Sequence, residues 1–442
     1  MQTIIHNATI VNEGRIFKGA VLIDGDRIAE VLEDEVSIAN YSSSTINSID
    51  AEGSMLLPGI IDTHVHFREP GLTHKADIAH ESRAALAGGV TSVMDMPNVN
   101  PPTTTFGRWQ ERMALGARES RVNYAYYIGA TNESSIPDSQ PPIPIKLFMG
   151  SSTGNMLVDK RETLLRIFQH AAEHHLPIVA HCEDTPRINE RMAEAKQRWG
   201  EDPPVEHHPW IRDEEACYRS SSLAVEMAHN TGARLHIAHI TTHRELTLLG
   251  GNVTGEVCVP HLLFCDEDYP TLGTRIKCNP AVKSRCDRDA LRRALADGRL
   301  LTVGTDHAPH LLSEKQGGCA RAASGMPMIQ FSLVSMLGLV DEGALTLGRM
   351  VDAMCHQPAL LFGIQDRGFI RKGYKADLVL AKPEAWTLQQ GDILSKCGWS
   401  PLEGHTFSWR VWQTYVNGQL AYDKGNIDDS IRGEALTMMH NA

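Results

Sequence analysis

Residues 55–66 read MLLPGIIDTHVH, a short apolar run that ends in two closely spaced histidines. The run does not strictly alternate with polar residues, which is typical of a strand buried on both faces. Similar runs recur, separated by amphipathic stretches such as Lys75–Ala87 and Lys160–His174. The eight predicted strands are Met55–Asp62, Val90–Met96, Val122–Ala130, Ile143–Gly150, Leu176–Glu183, Ala233–Ile240, Val253–Val259 and Leu300–His307. Strands alternating with helices predict an α/β protein whose core is a (β/α)8 TIM barrel.

The two ends of the chain have a different hydrophobic pattern from the middle. Thr3–Val11 and Ala20–Val31 alternate apolar and polar residues around turn sequences, and Ala376–Ala381 and Trp409–Tyr422 contain further strand runs. Neither end is large enough to form a domain alone. We therefore predict that residues 1–54 and 370–442 combine into a small β-sandwich domain, with residues 55–369 forming the barrel.

Composition excludes several classes of function. The chain has 442 residues and a formal net charge of −12, which does not suit a non-specific nucleic-acid binder. No apolar run approaches the roughly 20 residues that cross a bilayer, and no secretory signal is recognised, so neither a membrane nor a nucleic acid is expected as a partner. The nine cysteines lack a C-x-x-C spacing and indicate free thiols in the cytoplasm.

The 21 histidines are informative because several of them lie at the ends of predicted strands. His64 and His66 point to the same face of strand one. His181 ends strand five, His239 ends strand six and Asp306 ends strand eight. Any one of them could be an ordinary buried polar residue. Because a barrel keeps its active site at these strand ends, the five together predict a divalent metal centre.

A lysine interrupts the apolar fourth strand. Lys146 lies in the sequence PIKLFMG and could form an ordinary buried ion pair. Beside four histidines it has a second interpretation. A buried lysine of depressed pKa can react with CO2 to give a carbamate, which is an anionic ligand able to bridge two metal ions.

These residues resemble the binuclear members of the amidohydrolase superfamily. The longer motifs, HVHFREPG at 64–71, DMPN at 95–98 and GTDHAPH at 304–310, are similar to those of the dihydroorotase family within it. The resemblance covers roughly residues 55–380. It implies reversible, zinc-dependent cyclisation of N-carbamoyl-L-aspartate to (S)-dihydroorotate and water, a step of de novo pyrimidine biosynthesis.

The resemblance also implies roles for individual residues. Two Zn2+ ions per subunit would share a nucleophilic hydroxide, with Asp306 as general base and acid. The implied metal ligands are His64, His66, Lys146 in carboxylated form, His181, His239 and Asp306. The implied substrate contacts are Arg68, Asn98, Asn279 and His310. Arg68 would bind the substrate carboxylate, which does not react.

The chain departs from the family pattern at two places. Lys283 stands where an arginine is expected after Asn279, and Asp159 is an alternative bridging residue to Lys146. Residues 311–324 are polar and glycine-rich and are interpreted either as a mobile lid or as a plain surface loop. The histidine pairs at 174–175 and 207–208 are predicted to lie on the surface.

Two alternatives stay open at this point. An allantoinase or hydantoinase would share the metal ligands but needs no residue for a free substrate carboxylate. A catalytically inactive relative would serve as a structural partner of an aspartate transcarbamoylase, although such a protein should have lost metal ligands. The resemblance further implies a homodimer and a possible association with aspartate transcarbamoylase.

Overall fold

The computed structural model describes residues 2–33, 46–133, 142–150 and 156–439. In these residues the strands are β1 (Gln2–Asn12), β2 (Arg15–Asp24), β3 (Arg27–Leu32), β4 (Asn47–Asp50), β5 (Met55–Pro58), β6 (Ile60–Val65), β7 (Val90–Asp95), β8 (Asn123–Tyr126), β9 (Ile128–Gly129), β10 (Ile145–Phe148), β11 (Ile178–His181), β12 (Leu235–Ile237), β13 (Val253–Cys258), β14 (Thr302–Gly304), β15 (Leu378–Lys382), β16 (Trp386–Thr387), β17 (Thr406–Phe407), β18 (Arg410–Val416), β19 (Gln419–Asp423) and β20 (Asn426–Ile427). The α-helices are α1 (Ile78–Ala87), α2 (Phe106–Glu119), α3 (Arg161–Glu173), α4 (Thr185–Trp199), α5 (His208–Ile211), α6 (Glu214–Thr231), α7 (Val259–Leu263), α8 (Tyr269–Leu272), α9 (Arg285–Ala296), α10 (Ser332–Asp341), α11 (Leu347–Val351) and α12 (Gln357–Phe362).

Strands β6 to β14 form the barrel. Their order follows the chain, β6-β7-β8 and then β9 to β14, and every neighbouring pair is parallel. Strands β8 and β9 are two pieces of the third strand, so the barrel has eight strand positions. It closes where the main chain of Val65 bridges to that of His307 in parallel, and where His66 N donates to His307 O at 2.8 Å. The predicted (β/α)8 barrel is confirmed.

The first predicted barrel strand, Met55–Asp62, is wrong as a single element. The run is two strands, β5 and β6, which separate at Gly59. A Cβ on Gly59 would lie 2.1 Å from Thr91 Oγ1, so the chain passes too close to the next strand for any other residue. Both strands are largely buried, so apolar residues continue from one into the other. The hydrophobic periodicity of the sequence therefore does not show where β5 ends and β6 begins.

A nine-stranded sheet unites the two ends of the described chain. Its order is β20-β19-β18-β15-β5-β1-β2-β3, with β4 paired to β1. Strand β5 is parallel to β1 and antiparallel to β15, so it joins the N-terminal strands to the C-terminal ones. The predicted β-rich part is thus one continuous hydrogen-bonded sheet. We propose that it is the small domain predicted from the sequence, with residues 55–58 moved into it from the barrel.

Several helices around the barrel begin at polar residues that cap them. Asp77 accepts a hydrogen bond from His80 N at the start of α1, and Asp213 accepts one from Ala216 N at the start of α6. Such side chains satisfy a main-chain N–H that has no partner inside the helix. Within the described ranges, no helix has both the length and the apolar character needed to cross a membrane.

Candidate active site

The six predicted metal ligands line one cavity at the carboxyl ends of the barrel strands. All six side chains belong to residues that are buried. The topology brings them together because parallel strands present their carboxyl ends to the same rim of the barrel. The ligand set consists of His64, His66, Lys146, His181, His239 and Asp306.

His64, His66 and Asp306 form what we call the first donor group. Asp306 Oδ1 lies 3.1 Å from His66 Nε2 and 3.5 Å from His64 Nε2. The other ring nitrogens have oxygen partners, because His64 Nδ1 lies 2.6 Å from Glu256 Oε1 and His66 Nδ1 lies 2.8 Å from Asn98 Oδ1. Since those oxygens can only accept, each Nδ1 carries the hydrogen and each Nε2 presents a lone pair to Asp306.

This arrangement fits a cation. Two nitrogen lone pairs and a carboxylate oxygen converge on one point, and electron pairs that face one another repel unless a positive charge lies between them. Burial lowers the pKa of His66 to about 4, so its ring is neutral at physiological pH and can act as a ligand. Burial alone would raise the pKa of Asp306. At acid pH, however, protonated histidine rings beside the carboxyl group hold its pKa well below the ordinary value, so the carboxylate is ionised at neutral pH.

His181 and His239 form the second donor group. His181 Nδ1 lies 2.9 Å from His239 Nε2, and burial lowers the pKa of both rings. His181 Nε2 lies 3.1 Å from Glu183 Oε2 but outside hydrogen-bond geometry, and in the described part of the chain His239 Nδ1 has no hydrogen-bond partner. The two rings share a hydrogen bond here, and the same two nitrogens lie close enough together to bind one cation once neither carries a hydrogen.

Lys146 is fully buried in β10. Within the described residues its Nζ has no hydrogen-bond partner, and burial lowers the pKa of its ammonium group. A buried amine without a partner is costly, which indicates that the group meets something in the cavity. The alternative bridge, Asp159, is exposed and accepts a hydrogen bond from Asn132 Nδ2 at 3.0 Å, and it does not line the cavity.

Arg68 supplies a buried positive charge beside the donor groups. Its residue is 1 % exposed, and its Nε donates to Pro309 O at 3.2 Å. Burial lowers the pKa of Arg68 to about 10, which leaves the guanidinium charged at neutral pH. His310 Nε2 lies 3.2 Å from Arg68 Nη2, and Lys75 Nζ lies 3.2 Å from His310 Nδ1. Among the described residues, no carboxylate lies within ion-pair distance of Arg68, so the cavity favours an anionic ligand.

The remaining predicted contacts also border the cavity. Asn98 and Asn279 line it together with Arg68, and His310 reaches it through its contact with Arg68. The structure therefore brings all ten predicted site residues into one region. Their roles as ligands or substrate contacts stay predictions.

Two carboxylates of the site were missed by sequence reasoning. Glu256 lies in β13 and faces His64, and Glu183 follows His181 by two residues. Burial alone would raise the pKa of each, but His64 beside Glu256 and Arg212 beside Glu183 lower the pKa values to about 2. The signal was present: a charged residue inside the apolar run VTGEVC is as unusual as Lys146 in its strand.

The structure also places three other regions that the sequence singles out. His208 was predicted to lie on the surface, which is wrong, because it is 2 % exposed and packs behind Asn279. Lys283 Nζ donates to Ala281 O at 2.9 Å and does not line the cavity, so it does not replace an arginine there. The segment 311–324 is fastened by Lys315, whose Nζ donates to main-chain oxygens of residues 277, 323 and 325, and its motion as a lid stays a prediction.

A barrel with this candidate metal-ligand set is typical of metal-dependent hydrolases, and the chain belongs to the amidohydrolase family, which it matches over residues 55–421. It is similar to a dihydroorotase of Halobacterium salinarum, with 36 % identity over 92 % of this chain and 96 % of the relative. It is also similar to a dihydroorotase of Lactobacillus johnsonii, with 32 % identity over 96 % of this chain and 100 % of the relative.

Solved structures with the same architecture include enzymes that carry other names. The chain is similar to an L-hydantoinase (dihydropyrimidinase) from Arthrobacter aurescens, with a TM-score of 0.90, 25 % identity and coverage of 98 % of this chain and 99 % of that one. A dihydropyrimidinase from Brevibacillus agri NCHU1002 also has a TM-score of 0.90, with 23 % identity and full coverage of both chains (100 % and 100 %). The second likeness concerns the fold alone.

Proposed function

We propose that this protein is a dihydroorotase, a hydrolase of a cyclic amide that interconverts (S)-dihydroorotate and N-carbamoyl-L-aspartate. The observation that carries the proposal is the buried Arg68, which lies in the same cavity as the donor groups and has no carboxylate partner in the described residues. Dihydroorotate carries a carboxylate beside its reacting amide, and a guanidinium binds a carboxylate through two parallel hydrogen bonds. The named relatives support the same substrate.

The donor set fits two divalent cations, which we propose to be Zn2+. The first donor group would hold one ion and the second donor group the other, with Lys146 as a carbamate between them. When bound, the zinc ions lower the pKa of water and polarise the amide carbonyl. The carbamate forms when the neutral amine of Lys146 attacks CO2, creating a C–N bond and releasing one proton.

The chain's own residues orient the substrate and move the proton. Arg68, with Asn98 and His310, would hold the carboxylate so that the ring amide faces the donor groups. The pKa of Asp306 lies below its ordinary value, so its carboxylate is ionised at neutral pH and has a free oxygen that can accept the proton of the attacking water. Asp306 then delivers that proton to the amide nitrogen as the C–N bond breaks. Ring closure uses the same steps in reverse.

A hydantoinase or allantoinase is the alternative, because the solved structures of similar fold include an L-hydantoinase and a dihydropyrimidinase, each with a TM-score of 0.90. Assays with dihydroorotate, allantoin and 5-substituted hydantoins on one zinc-loaded preparation distinguish the candidates. We expect turnover of dihydroorotate to exceed that of the others by at least about 100-fold. Turnover of hydantoins without turnover of dihydroorotate would refute the proposal.

Other predictions from the family resemblance concern the protein's surroundings. We propose a small anionic substrate and a cytoplasmic location, which the nine cysteines support because all of them are free thiols. A homodimer and an association with an aspartate transcarbamoylase stay predictions.

A further inference from the structure

A histidine behind the cavity contacts one of the cavity's side chains. His208 begins helix α5 and is 2 % exposed. Its Nε2 lies 3.0 Å from Cys278 O and 3.2 Å from Asn279 Oδ1. Burial and the nearby Lys277 lower the pKa of His208 well below its ordinary value, so the ring is neutral. His208 does not line the cavity, whereas Asn279 does.

The contacts of His208 determine its tautomer. A main-chain carbonyl can only accept a hydrogen bond, so the Nε2 that approaches Cys278 O carries the hydrogen. The same N–H lies within reach of the side-chain oxygen of Asn279, which also accepts. The opposite nitrogen, Nδ1, has no hydrogen-bond partner in the described residues. The Nε2 contacts therefore orient the ring.

We propose that His208 is a positioning residue that fixes the side-chain amide of Asn279 with Oδ1 turned away from the cavity and Nδ2 available to it. The two ends of an amide have nearly the same shape, so packing alone selects its orientation poorly. A donor at Oδ1 selects one orientation. Asn279 then offers an N–H to the substrate and binds a carbonyl oxygen of the ring. This last step rests on the proposed function, since it takes the ring of dihydroorotate as the ligand.

His208 also contacts the main chain beside Asn279, at Cys278 O, but the loop has further contacts that do not involve His208. Lys277 O accepts hydrogen bonds from Gly325 N at 2.8 Å and from Lys315 Nζ at 3.0 Å. His261 Nε2 lies 3.2 Å from Pro280 O on the other side. Because these contacts fasten the loop at both ends, a substitution at His208 should disturb the amide of Asn279 more than the path of the chain.

Steady-state kinetics with dihydroorotate test the proposal. His208→Phe removes the donor and should raise KM roughly five- to tenfold, with kcat changed less than about twofold, because one hydrogen bond is lost in binding. His208→Gln restores a side-chain N–H and should keep KM within about threefold of the wild type. His356 is a matched control, since it is also buried and bonded to a main-chain oxygen, that of Gly368, at 2.6 Å. His356→Phe should leave KM unchanged.

A double-mutant cycle separates positioning from general structure. If His208 acts through Asn279, His208→Phe should have no further effect on KM in an Asn279→Ala background. An equal rise of KM in both backgrounds, or an unchanged KM in the single variant, would overturn the proposal.

The tautomer of His208 can be measured without any activity. Nitrogen NMR of the labelled, zinc-loaded protein should show a neutral ring with its hydrogen on Nε2, and a hydrogen on Nδ1 would overturn the proposal. Failure of the wild type to hydrolyse dihydroorotate would refute the proposed function. It would leave the NMR result to decide on His208.

Discussion

The two donor groups of the cavity differ in how the chain holds their imidazoles. In the first donor group, His64 and His66 each direct Nδ1 to an oxygen, at 2.6 Å from Glu256 and 2.8 Å from Asn98. In the second donor group, His239 Nδ1 has no hydrogen-bond partner among the described residues, and the contact of His181 with Glu183 lies outside hydrogen-bond geometry.

The difference indicates that the chain orients the histidines of the first donor group more firmly than those of the second. A ring held by an oxygen partner is fixed in tautomer and direction before any ion binds, and such partners raise the affinity of a metal site. The rings of the second donor group contact each other, at 2.9 Å between His181 Nδ1 and His239 Nε2, and lack such oxygen partners in hydrogen-bond geometry among the described residues. We therefore expect the first donor group to bind its ion more tightly than the second.

The largest expected effect comes from removing the carboxylate of the first donor group. Asp306→Asn keeps the size of the side chain but can no longer accept and return the proton. We expect kcat for dihydroorotate to fall about 10^2- to 10^4-fold, which is typical for the loss of a general acid–base residue. A fall in kcat of less than about tenfold, in a variant that retains its zinc, would contradict the role of Asp306 as general base and acid.

Substitution of Lys146 tests the residue between the two groups. Lys146→Met fills the space and removes the amine, so the carbamate cannot form. We expect the zinc content to fall from two ions to one per chain, with the first donor group keeping its ion, and metal analysis of dialysed protein measures this. Two tightly bound ions in this variant would contradict the role given to Lys146.

The partners of the imidazoles allow a matched pair of variants. Glu256→Gln replaces the acceptor of His64, and Glu183→Gln replaces the carboxylate beside His181. We expect Glu256→Gln to weaken the tighter zinc site about 10- to 100-fold, because it disturbs an oriented ligand. Glu183→Gln should affect only the weaker site, and by less. Competition with a chelator measures both affinities, and equal effects would refute the difference between the groups.

The smallest expected effect on zinc content comes from substituting a histidine outside the site. His236 Nδ1 and Nε2 lie 2.7 Å and 3.1 Å from the hydroxyls of Thr254 and Thr302, so both ring nitrogens have protein partners. His236→Leu leaves those hydroxyls without the ring, and we expect the free energy of unfolding to fall by about 1–3 kcal/mol. Zinc content should stay the same. Loss of zinc without loss of stability would contradict a structural role.

The sequence predicts much of the site because the barrel topology determines which residues meet. Once eight parallel strands are recognised, the residues at their carboxyl ends must share one rim, and His64, His181, His239 and Asp306 follow from that. Glu256 could have been found in the same way, since its charge interrupts an apolar strand.

Other features depend on contacts that periodicity does not record. The break at Gly59 arises from a close approach to Thr91, and both sides of the break are buried and apolar. His208 lies on a short helix outside the strand pattern, so its position behind Asn279 is set by tertiary packing. Sequence reasoning assigned it to the surface because adjacent histidines in a loop usually face water.

The most direct test of the role of Arg68 compares dihydroorotate with dihydrouracil as substrates. Dihydrouracil is the same ring without the carboxylate. The wild-type protein should prefer dihydroorotate in kcat/KM by about 10^4-fold, because dihydrouracil leaves the buried charge of Arg68 unpaired. Arg68→Met should abolish most of that preference while zinc content is retained. If the wild type hydrolyses both rings equally well, or if Arg68→Met keeps the full preference, Arg68 does not select the substrate and the proposed function is contradicted.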